Sequence, residues 1–185
     1  GISGSLFQML SHGISTGALF FLVGMLYERT HSREIANYGG LAKVMPWYTI
    51  IFLIVTFSSI AVPLTNGFVG EFLILLGTFK ANKILAAIAA TGAVWGAVYM
   101  LWMVKKVFYG PPGKIVEEHQ EDLKDLSWRE RAVLIPLVVL IFWMGIFPNT
   151  FLNTSAESIS YLVKNITDYT FPTQAVVSQT EEAHQ

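Results

Sequence analysis

Between Trp47 and Phe79 the chain is almost continuously apolar, with one clear interruption at PLTNG, residues 63–67. As a single straight helix this stretch would be about 48 Å long at 1.5 Å per residue, against a bilayer hydrocarbon core of roughly 30 Å. It is too long to cross a membrane as one rod, so something must break it. Pro63 has no backbone donor and disfavours helix at Val62, while Asn66-Gly67 is a turn dipeptide. The sequence therefore predicts two half-helices joined by a short unwound stretch near 62–67. Unwound backbone at membrane depth survives only where protein or a water-filled cavity covers it, and broken helices recur at the ion sites of transporters.

A charge follows the break. Glu71 lies in FVGEFLILLGTF, residues 68–79. An acidic side chain near the centre of a membrane helix costs roughly 2.5 to 3.5 kcal/mol on insertion scales, so such a residue needs a partner or a task. A carboxylate on the first turn of the second half-helix favours a functional break over a simple proline kink in a long tilted helix. Proton handling is the first task it suggests.

Composition supports the membrane reading: 53% of residues are hydrophobic and 14% charged, where an average soluble domain carries about 25% charge. Three more stretches, roughly 5–27, 83–108 and 130–148, are long enough to span. The expected fold is an all-α, polytopic transmembrane bundle of about four helices within residues 1–150, one of them discontinuous. Residues 151–170 space Phe151, Leu152, Ile159, Leu162, Val163, Ile166 and Tyr169 as an amphipathic surface helix, and 171–185 read as a disordered polar tail. If the spans alternate, loops 28–46 and 104–131 share one face and hold nine of the twelve Lys and Arg residues. The positive-inside rule puts that face in the cytoplasm and the C-terminal tail outside. The opening GISGSLFQ has neither an initiating Met nor a basic leader, so the chain reads as the C-terminal part of a longer membrane protein.

On the first helix Gln8, His12, Ser15 and Thr16, joined by Ser5, recur at spacings of three and four and form one polar stripe. Counted along the helices, His12 and Glu71 come at similar depth. A histidine that titrates near neutrality and a carboxylate raised by burial could be two stations of a proton relay. Alternatively, His12 is an interhelical hydrogen-bonding residue beside the small-residue pair Gly13 and Gly17. The third helix offers Gly92-xxx-Gly96 for close helix packing, and Trp95, Tyr99 and Trp102 for an interfacial aromatic belt. Helix four carries Pro136 and no charge in its apolar run, and Ser127 is placed to cap it.

Other chemistry is excluded by what is missing. With no cysteine there is no thiolate-held iron–sulfur cluster, disulfide or zinc ribbon. The four histidines are scattered, no Gly-rich phosphate loop of standard spacing occurs, and a net charge of −1 without a basic stripe gives no nucleic-acid footprint.

The runs QMLSHGISTGALFFLVGMLYERTHSREI (8–35), GGLAKVMP (39–46) and VPLTNGFVGEFLILLGTF (62–79) closely resemble the M-type antiporter-like subunit of respiratory complex I, the bacterial NuoM family equivalent to NADH dehydrogenase subunit 4. The likeness extends over residues 5 to about 148. It implies that this chain is the C-terminal third of an antiporter-like fold of about fourteen helices, in which quinone reduction elsewhere drives proton translocation along a hydrated midplane axis. It matches His12 to the family's histidine and Glu71 to its broken-helix acid, with Gln8, Ser15, Thr16, Pro63, Asn66 and Gly67 as supporting polar or helix-breaking residues. Glutamate at position 71 resembles the M-type chain, whereas L-type and N-type chains usually have lysine there. The resemblance implies no cofactor or metal on this chain, with NADH, flavin, iron–sulfur clusters and quinone on other subunits. Expected partners are the other membrane subunits, the lipid bilayer and protons, in a bacterial inner membrane. Related alternatives are a D-type subunit of a multi-subunit sodium/proton antiporter and an antiporter-like subunit of a membrane-bound hydrogenase.

Overall fold

The computed structural model describes residues 1–118 and 123–170, and among them the regular structure is helical throughout. The order is α1 (Ile2–Thr30), one turn of 3-10 helix (Ile35–Asn37), α2 (Leu41–Val44), α3 (Pro46–Ser59), α4 (Asn66–Ala81), α5 (Lys83–Phe108), α6 (Lys114–Glu118), α7 (Trp128–Ile146) and α8 (Asn149–Thr170). Residues Gly1–Pro148 form one compact unit, and α8 begins a second. The expected tail 171–185 lies outside the described residues.

Helix ends are set by specific groups. Pro46 opens α3 at a position where its missing donor costs nothing, and Asp125 accepts the free N–H groups of Trp47 at 2.8 Å and Tyr48 at 3.0 Å. Asn82 alone separates α4 from α5, and its Oδ1 accepts from the backbone of Ile84 at 3.0 Å and Leu85 at 3.1 Å. Ser127 caps α7 in a reciprocal box with Glu130.

Two helices, Ile2–Thr30 and Lys83–Phe108, are each long and apolar enough to cross a membrane by themselves. The half-helices α3 and α4 are shorter, with 14 and 16 residues. The α7 helix opens with Arg129, Glu130 and Arg131 before its apolar run.

The Lys- and Arg-rich loops meet at one end of the bundle. Arg29, in the last turn of α1, pairs with Glu130 at 2.7 Å and donates from Nε to the Lys124 carbonyl at 3.0 Å. Beneath them lies a hydrophobic core in which Leu22, Leu41, Met45, Tyr48, Phe108, Leu134 and Ile141 are fully buried. Tyr48 sends its hydroxyl to the Leu22 carbonyl at 2.8 Å, so its polar end is satisfied inside this cluster.

The opposite half is held by close backbone approach. The α1 and α4 helices run antiparallel, with Gly4 against Leu73 and Ile74, and Gly70 against Gln8. Lipid tails are as apolar as leucine, so association in a bilayer rests on van der Waals fit and interhelical hydrogen bonds, and small residues permit both. In the second unit, α8 carries Leu152, Ile159, Leu162, Val163 and Ile166 at helical spacing, with Asn153, Glu157, Ser160 and Lys164 between them.

Candidate functional site

The break between α3 and α4 is built locally before any neighbour is considered. Ala61 adopts a left-handed conformation with φ 56°. The Val62 N–H bonds the Phe57 carbonyl at 2.9 Å, and the Ala61 N–H bonds the Ser58 carbonyl at 3.3 Å. These are the two hydrogen bonds of a Schellman termination, with alanine in the place usually taken by glycine. Pro63 follows and prevents the helix from resuming. Leu64 is also left-handed, with φ 77°. Such conformations cost of order 1–3 kcal/mol each in non-glycine residues and persist only where the surroundings impose them.

The unwound stretch is therefore Ile60–Thr65, and the expectation of 62–67 is corrected at its far end. Asn66 and Gly67 do not form a turn; they open α4. The reason is tertiary. Asn66 is fully buried, and its Nδ2 donates to the Ser11 carbonyl at 3.2 Å and toward Ser15 Oγ at 3.5 Å. Ser58 Oγ donates to Asn66 Oδ1 and lies 2.6 Å from Ser15 Oγ. One carboxamide thus ties α1, α3 and α4 together at the break. A side chain at Gly67 would strike the Ser58 carbonyl, and one at Gly70 would meet the Gln8 backbone at 2.9 Å, so glycine sets how closely the helices approach.

Glu71 consequently sits on the second turn of α4, not the first. It lines a cavity of about 370 Å³ with Ser59, Ile60, Ile74 and Leu75 on one side and Ala89, Gly92, Ala93, Gly96 and Tyr99 of α5 on the other. Among the described residues Gly92 and Gly96 do not pack closely on another helix: a Cβ at either would meet nothing within 4 Å. They leave the wall of the Glu71 cavity bare. Tyr99 likewise departs from the expected aromatic belt, since it faces this cavity.

His12 lines a second cavity of about 190 Å³, bounded by Gln8, Ser15 and Thr16 of the α1 stripe, by Ser11 of the same helix, and by Ser58, Ser59, Gly67, Tyr99 and Met100. The imidazole nitrogens lie 3.3 Å from Thr16 Oγ1, one turn along the same helix. Ser5 stays outside this set and bonds the Gly1 carbonyl. Gln8 Oε1 is buried and has no hydrogen-bond partner among the described residues, so the polar stripe faces a cavity able to hold water. Pro63 stands outside both linings and acts through the break.

The two ionisable groups do not share a depth. The α1–α4 register sets Ser11 against Asn66 and Gln8 against Gly70. Glu71 is therefore about 8 Å along the helix axes from the level of His12, toward the α1 N-terminus. Estimates made along each helix separately missed this, because the register is fixed by glycine contacts between them. Ser11, Ser58, Ser59 and Tyr99 were also missed. The Ser58-Ser59 pair just ahead of the proline was a usable signal, while Ser11 and Tyr99 have no sequence mark beyond helical spacing. Among the described residues no group of three His, Asp or Glu side chains is placed to hold a metal.

A family model described as NADH:quinone oxidoreductase/Mrp antiporter, transmembrane, matches residues 1–96. The chain belongs to this family. It is 42% identical over 165 residues to NADH-quinone oxidoreductase subunit M of Rhodobacter capsulatus, covering 89% of this chain and 32% of that one. It is 47% identical to the subunit M of Rickettsia typhi over 163 residues, covering 88% and 32%. The chain thus spans about a third of the length of these relatives. Among solved structures, a chain of respiratory complex I from Thermus thermophilus superposes with a TM-score of 0.74 at 36% identity, covering 86% of this chain and 33% of that one. A chain of the archaeal membrane-bound sulfane sulfur reductase gives 0.72 at 28% identity, covering 80% and 24%. As a member of this antiporter-like family, the chain is a multi-pass membrane protein, and its fold is that of a complex I membrane subunit over the matched length.

Proposed function

We propose that this chain works within the proton-translocating M-type membrane subunit of an NADH:quinone oxidoreductase, and that Glu71 and His12 are its protonatable stations. The observation that carries the reading is Glu71 itself: a carboxylate beside a broken helix, facing a cavity whose opposite wall is stripped to Ala89, Gly92, Ala93 and Gly96. Such a wall leaves room for water at a charge that is costly to bury dry. The Asn66 network holds the unwound backbone in place beside this cavity. On this reading NADH, flavin, iron–sulfur and quinone sites belong to partner subunits, as the family resemblance implies, and this chain offers no cysteine to hold a cluster. In a bacterial inner membrane the Arg29–Lys124 end would face the cytoplasm by the positive-inside rule.

The test is Glu71→Gln in the assembled enzyme, with proton pumping measured per NADH oxidised. Pumping should fall while assembly persists, and full pumping at normal assembly would refute the assignment. His12→Ala should give a milder loss. The structural likeness to a subunit of a sulfane sulfur reductase keeps a second reading, a related antiporter-type assembly. Isolating the native complex decides between them, by whether NADH-oxidising and quinone-site subunits copurify with this chain.

A further inference from the structure

The Glu71 cavity and the His12 cavity have two lining residues in common, Ser59 and Tyr99, and both bear hydroxyl groups. Their hydroxyls differ in availability. Ser59 Oγ donates to the Val55 carbonyl of its own helix at 3.0 Å. Tyr99 is 61% exposed on this chain, and its hydroxyl makes no hydrogen bond among the described residues.

We infer that Tyr99 is the positioning group that joins the two cavities, its phenol bridging water on the His12 side to water or carboxylate on the Glu71 side. The inference rests on the proton-translocating reading of this site. Its physical basis is the separation found above: His12 and Glu71 lie about 8 Å apart along the helix axes, too far for direct transfer at hydrogen-bond reach. A phenol is both donor and acceptor. It releases its proton to an oxygen on one side as it accepts one from water on the other. One proton enters, one leaves, and the O–H is restored without any oxidant or reductant.

Asn66 and Ser58 do not substitute for it. Their polar atoms are committed to one another, to Ser15 and to the Ser11 carbonyl, and both residues are 1% exposed or less. They hold the break, whereas Tyr99 lines both cavities.

The test uses the full-length subunit in the assembled enzyme, in inverted membrane vesicles. Tyr99→Phe deletes one oxygen and keeps the ring, so the ratio of protons pumped to NADH oxidised should fall severalfold, and the ratio is independent of how much enzyme assembles. The remaining pumping should show a changed solvent deuterium isotope effect, which a packing role would not alter. Tyr99→His, which restores a proton-exchanging ring, should recover part of the ratio. A wild-type ratio and isotope effect in Tyr99→Phe, with the ratio lost in Glu71→Gln, would overturn the bridge alone. A wild-type ratio in Glu71→Gln would overturn the site reading on which it rests.

Discussion

Gly96→Leu gives the sharpest test of whether the space in front of Glu71 is a water path. The cavity holds about 370 Å³, which at about 30 Å³ per molecule accommodates about a dozen waters. A leucine side chain adds four carbons, each taking roughly the volume of one water, so about a third of that water would be displaced. A Cβ at Gly96 meets nothing within 4 Å, so the new side chain enters open space and leaves the α4–α5 contact intact. Assembly should therefore be normal on a native gel. In inverted vesicles supplied with NADH, dye-detected proton pumping per NADH oxidised should decline in the order Ala, Val, Leu at position 96. Unchanged pumping in a fully assembled Gly96→Leu enzyme would show that protons do not pass this wall.

Other substitutions probe the scaffold. Gly70→Val must push against the Gln8 backbone, where a Cβ already stands at 2.9 Å; overpacking of this kind costs about 1–3 kcal/mol, and the level of assembled enzyme should drop. Asn66→Leu removes the bonds to Ser58 and Ser11, worth about 0.6 kcal/mol each by membrane-protein averages. The midpoint of heat inactivation should fall, and Ser58→Ala added to it should cost less than it does alone. Arg29→Ala strands Glu130, which it holds at 2.7 and 2.8 Å. With bonds to charged groups worth about 1.5–3 kcal/mol, the segment between α5 and α7 should be cut faster by added protease.

The α3–α4 break shows how far sequence reasoning carries. The 47–79 stretch is too long to cross a bilayer as one rod and Pro63 disfavours helix at Val62, so an interruption was legible from length and covalent geometry together. A proline by itself does not force one, since α7 carries Pro136 within it. Its far boundary was not, because Asn66-Gly67 turns readily in isolation and enters α4 only when the Asn66 carboxamide finds Ser58 and the Ser11 carbonyl. Gly92 and Gly96 teach the same lesson in reverse. Their spacing permits close packing, yet among the described residues nothing lies within 4 Å of a Cβ at either, and the bare face borders a charge instead.

The amino-acid sequence by itself determined that the chain is helical and membrane-bound, that one span must break, and that Glu71 stands beyond the break as a costly charge. Those properties follow from local covalent geometry and from transfer energies, which each residue carries with it. Only the tertiary structure decided that Glu71 and His12 open into separate cavities at different levels, and that Ser59 and Tyr99 stand between them. That outcome depends on the register of α1 against α4, which is set by glycine contacts and a buried carboxamide between residues far apart in the chain.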